Sequence, residues 1–93
     1  MRSEDVEIFS DMTNAAVMRH PGRKFPGILI QGDTLYTLCR EADAACEKVG
    51  RGRPGYEDLN DLRNALWFYL NHYKSTLHEH GIGLPFSEDR PFE

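Results

Sequence analysis

The chain predicts an α+β domain: a three-stranded antiparallel β-meander followed by an antiparallel helical hairpin packed on one sheet face. Three observations carry that expectation. Residues 5–31 fall into short apolar runs, partly alternating with polar positions and separated by turn formers, the pattern of half-buried strands. Residues 33–49 and 56–81 repeat apolar side chains at three- and four-residue spacing, the period of helices buried along a stripe. The segment between them, Gly50-Arg51-Gly52-Arg53-Pro54-Gly55, is a short glycine-rich reversal, which makes the two helices antiparallel neighbours.

Taken in order, Asp5-Val6-Glu7-Ile8 alternates, and Phe9 breaks the polar side of that alternation. Asp11-Met12-Thr13-Asn14 supplies turn formers. Ala15 to His20 reads as a second strand; both of its faces are partly apolar, so the inward side stays open. His20-Pro21-Gly22-Arg23 fits a type II turn, because proline presets the second position and glycine accepts the positive φ of the third. Gly27 to Gln31 returns as a third strand, with Ile28 and Ile30 on one face and Leu29 on the other.

Asp33 is placed to cap the first helix. Leu35, Leu38, Cys39, Ala42, Ala45, Cys46 and Val49 form its apolar face, opposed by Arg40, Glu41, Asp43, Glu47 and Lys48, and Gly50 ends it. The long helix, 56–81, is the element on which the rest packs. Its expected core stripe is Leu59, Leu62, Leu66, Tyr69, Leu70, Tyr73 and Leu77. Asp58 and Asp61 suit the positive end of the helix dipole, and His78 and His80 the negative end. Gly81 suits a left-handed stop, with Ile82 touching Leu77 as in a Schellman ending. Leu84 and Phe86 then lie back over the core, and residues 87–93 form an acidic, mobile tail.

With 93 residues, the chain has room for one domain whose core only modestly outweighs chain entropy. A net charge of −4 argues against nucleic-acid binding through the whole surface. The acidic start MRSEDVEIF is unlike a secretory signal, and no apolar run approaches the ~18 residues of a membrane span, so a cytoplasmic protein with no membrane contact is expected. Cys39 and Cys46 stand about 10 Å apart along a helix rising about 1.5 Å per residue, too far for a disulfide. They read as reduced packing residues, with a redox or intermolecular role as the alternative.

The pieces Asp5-Val6-Glu7-Ile8, Thr13-Asn14, Ala16-Val17-Met18-Arg19, Pro21-Gly22-Arg23, Phe25-Pro26-Gly27 and Ile30-Gln31-Gly32-Asp33 resemble the opening of a family of short uncharacterised bacterial proteins, a domain of unknown function. The resemblance covers the first third of the chain. It implies a bacterial, cytoplasmic source and supplies no activity, cofactor or catalytic residue.

The search for chemistry yields no catalytic residue, metal site or cofactor, and the chain does not read as an enzyme. On a helix His78 and His80 point about 200° apart and His72 and His78 about 240° apart, so no pair shares a face for zinc. Neither cysteine has a visible histidine partner, the serines stand in no nucleophile-elbow context, and the glycines lack phosphate-loop spacing. Asp58 and Asp61 are explained by the helix start.

Two candidate contact surfaces remain. Arg23 and Lys24 at the hairpin tip, beside Phe25, approach Arg51 and Arg53 in the helix link if the helix returns antiparallel along the last strand. They would make a basic end for an acidic partner, a phosphate or a nucleic-acid backbone. The competing reading is that Glu57, Asp58 and Asp61 neutralise these cations. The second surface is aromatic, drawn from Phe9, Phe25, Trp67, Phe68, Phe86 and Phe92. Ala65 to Leu70 wraps the long helix all round, and each large side chain left in water forfeits roughly 1.5–3 kcal/mol. Trp67 and Phe68 therefore call for a cover beyond this small core.

The expected function is a small protein-interaction module, of the immunity or antitoxin kind that binds and blocks a toxin or other effector protein, with a homodimer as a further partner. The immunity or antitoxin expectation rests on association alone. The alternative is a nucleic-acid or phosphate-ligand binder working through the 23–24 and 51–53 loops.

Overall fold

The computed structural model describes residues 1–13 and 15–87. The elements run β1 (Glu7–Ser10), β2 (Ala15–Arg19), β3 (Gly27–Ile30), α1 (Gly32–Val49) and α2 (Tyr56–Glu79), the expected three antiparallel strands followed by two helices. The chain forms two compact units, Met1–Gln31 and Gly32–Glu93. Asn14, most of the expected mobile tail and Phe92 lie outside the described residues.

In the strand unit the sheet order is β1-β2-β3, and both pairings are antiparallel. Ala15 faces Ile30, Ala16 faces Leu29 and Val17 faces Ile28. One face therefore carries Ala15, Val17, Ile28 and Ile30, and the other Ala16, Met18 and Leu29, so both are apolar. β1 is irregular: Glu7 pairs with Arg19 and Ile8 with Met18, but Ser10 pairs with Val17, leaving Phe9 as an extra residue. The broken alternation at Phe9 is this bulge, which admits two residues opposite one.

Arg19 ties β1 to the turn that follows β2. Its guanidinium donates to both Glu7 carboxylate oxygens, at 2.7 and 3.0 Å, and to the Lys24 carbonyl at 3.3 Å, while lying 5.6 Å from the Phe9 ring centroid. The His20 to Arg23 turn forms as expected, with Gly22 at φ 84° and the Arg23 N–H donating to the His20 carbonyl at 3.1 Å. Among the described residues of this unit none is buried.

The helical unit contains the core. Cys39, Ala42, Cys46, Trp67 and Leu70 are buried, with Leu35, Tyr36, Leu66, Tyr73 and Phe86 packed around the centre. The cysteines are packing residues and are not joined in a disulfide. α1 begins at Gly32, one residue earlier than expected, so Asp33 sits in the first turn instead of capping it. Gly32 is pressed against the Tyr73 ring so closely that a Cβ there would overlap it. Gly55 precedes α2 as its N-cap and supplies no side-chain capping bond. The helix ends on Gly81 at φ 66°, where the Ile82 N–H donates to Leu77 O at 2.9 Å and the Gly81 N–H to His78 O at 3.1 Å. Those two bonds are the Schellman pattern that the sequence predicts.

The buried stripe of α2 departs from the expected one. Leu62 and Tyr69 are 56% and 62% exposed, whereas Trp67 and Lys74 are buried. The buried face of α2 is therefore displaced around the helix from the expected stripe, toward Trp67, Leu70 and Lys74. Two contacts accompany this displacement. The Trp67 indole N–H donates to Asp43 of α1 at 3.0 Å, and the Lys74 ammonium lies 5.8 Å from the Trp67 ring centroid. A buried indole that finds an acceptor on the neighbouring helix sets the rotation that a hydrophobic count alone places elsewhere.

Candidate functional site

Exposed large apolar side chains occur along the strands, on α1 (Leu38, Val49), on α2 and after it (Ile82, Leu84), and two groups of them bear on the expected surfaces. On α2, Leu62, Phe68 and Tyr69 are exposed, Phe68 to 70%. The Phe68 and Tyr69 rings meet edge to face at 5.8 Å between centroids, so they present one aromatic ledge. Helical spacing puts Ala65 and His72, both exposed, on the same flank. Phe68, which the sequence expects at a contact surface, is exposed. Trp67, expected at the same surface, is instead a core residue, 4% exposed and hydrogen-bonded to α1. Leu62 and Tyr69 are the residues that the sequence assigns inward and the structure places outside.

On the strand unit a cleft of about 400 Å³ is lined by Met18, His20, Arg23, Phe25, Gly27, Ile28 and Leu29. Phe25 is exposed, and the Lys24 ammonium stands 5.4 Å from its ring centroid. Arg23, Lys24 and Phe25 thus share one turn beside an apolar surface. Missing from the sequence reading is the cleft itself, although the two-faced apolar pattern of β2 was its signal.

Arg51 and Arg53 belong to the helical unit, apart in sequence and in unit from Arg23 and Lys24. Arg51 lines a depression of about 320 Å³ with Asp43 and Glu47, and Arg53 one of about 290 Å³ with Glu57 and Asp58. The strongest charge pairing lies in the sheet. The forked hydrogen bond from Arg19 holds the Glu7 carboxyl below the usual carboxylate range, and the same bond raises Arg19. Among the described residues no three histidine, cysteine or acidic side chains converge as a metal-binding group. No described helix is long and apolar enough to cross a membrane.

The fold and these surfaces define a small α+β protein whose conspicuous feature is outward-facing apolar area. The chain belongs to DUF6959, a family of unknown function whose model matches residues 1–86. The match takes in both helices, well beyond the opening third on which the sequence resemblance rests. No curated protein and no solved structure matches the chain.

Proposed function

We propose that the protein is a non-catalytic protein-interaction module that binds a partner chain through the α2 ledge of Leu62, Phe68 and Tyr69. The observation that supports this reading is the 70% exposure of Phe68 beside Tyr69 at 62%. Aromatic side chains rigidly held on a helix give large contact area at small entropic cost, and they are enriched where proteins meet. An inhibitor of the immunity or antitoxin kind, blocking a toxin or other effector, is the form of module this reading favours. The setting is a reducing, cytoplasmic compartment, which suits two buried thiols not joined to each other.

A photo-crosslinking residue at position 68, compared with one at Glu41 on the polar face of α1, tests it. The expected result is one protein crosslinked from position 68, absent from position 41, that re-forms a stoichiometric complex when both are purified. The complex should be lost with Phe68→Ala plus Tyr69→Ala. Crosslinks only to a second copy of the chain, or none, would overturn the reading. Steeply salt-dependent nucleic-acid binding, abolished by Arg51→Ala plus Arg53→Ala, would replace it with the nucleic-acid alternative.

A further inference from the structure

The geometry points to the free edge of β3 as the seam of a symmetric homodimer, in which two β3 strands pair antiparallel and join two three-stranded sheets into one of six. This surface is separate from the α2 ledge, and the inference stands whether or not that ledge binds a partner.

The two edges of the sheet differ. β1 is kinked by the Phe9 bulge and carries Glu7 locked to Arg19, two devices that make an edge hard to extend. β3 has neither. Its residues Gly27, Ile28, Leu29 and Ile30 are all exposed and uncharged, and β2 covers only one of its sides. A strand edge is a row of directional donors and acceptors, so what completes it is another strand.

The segment also fits itself. A two-fold axis through Leu29 sets Leu29 opposite its own copy on one face and Ile28 opposite Ile30 of the second copy on the other. The Leu29–Leu29 and Ile28–Ile30 pairs are then apolar, and no like charges meet within Gly27 to Gln31. Because the axis makes the contact self-complementary and each outer edge is a bulged β1, assembly stops at two copies. The pairing also extends apolar faces in a unit that has no buried residue of its own among those described.

Light scattering on the full chain, with separately purified Leu29→Lys and Leu29→Glu variants, tests the seam. Wild type should have twice the 10.7 kDa mass of one chain. Each variant alone should fall to the single-chain mass, because like charges face one another at the axis, and mixing the two should restore the double mass. Restoration shows that both variants fold. A wild-type mass of one chain, a dimer that both variants keep, or a mixture that stays monomeric with each variant folded by circular dichroism, would each overturn the proposal.

Discussion

The Glu7 carboxylate accepts from Arg19 at both oxygens, Nε at 2.7 Å from Oε1 and Nη2 at 3.0 Å from Oε2, across the one regular stretch of the β1–β2 pairing. A two-pronged pair of this kind favours the charged form of each partner. Glu7 is therefore lowered, chiefly by the hydrogen bond from Arg19, and its contribution to β1 is complete above the unfolded-state glutamate value. It is lost as pH falls through the lowered folded-state value, while Arg19 stays protonated throughout. An NMR titration of the Glu7 carboxyl should show a midpoint below the ordinary glutamate range, moving up in Arg19→Ala. Amide exchange in β1 should quicken over the same acid window in wild type and lose that step in Glu7→Gln. A Glu7 midpoint at the ordinary value would refute the assignment.

The approach of Gly32 to Tyr73 leaves no room for a methyl group. Gly32→Ala should destabilise the helical unit by about 1–3 kcal/mol, the usual cost of overpacking. Urea unfolding followed by the fluorescence of the single tryptophan, Trp67, reads this directly. Adding Tyr73→Leu should make the double variant lose less than the sum of the two single losses; strict additivity would show that the ring is not the obstacle.

Asp43→Ala removes the acceptor of the buried indole N–H and should cost about 1–3 kcal/mol. Asp43→Asn retains a side-chain oxygen and should cost less. The same unfolding curves, together with a shift of the tryptophan emission in the alanine variant, check the order.

Phe68→Ala should leave stability within about 0.5 kcal/mol of wild type, as expected for an exposed site. Trp67→Ala should cost about 3–5 kcal/mol. Neighbours in sequence should thus separate into a surface residue and a core residue, and equal losses by thermal melt would contradict the rotation of α2.

The legible parts of the fold are those set by local chemistry. Gly81 and Gly22 announce a helix stop and a turn because only backbone freedom is at issue, and both form as the spacing implies. Helical and strand periods locate all five elements within a few residues. The rotation of α2 is not legible, because leucine and tyrosine at positions 62 and 69 look as suitable for burial as tryptophan at 67 until Asp43 on another helix supplies an acceptor. Lys74 is hidden for a related reason: a charge reads as surface until an aromatic face is known to lie beside it. Phe9 shows in the sequence only as a fault in the alternation, since a bulge is defined by the strand opposite.

Phe86 lies flat on Tyr36 of α1, ring centroids 4.3 Å apart and planes within 6°. The segment that leaves α2 thereby clasps the other helix, so the two cannot part like scissors without first lifting that ring. For whoever attaches a dye or a bait, the practical lesson is to use the beginning of the chain, and to expect a cut ahead of Phe86 to loosen both helices together.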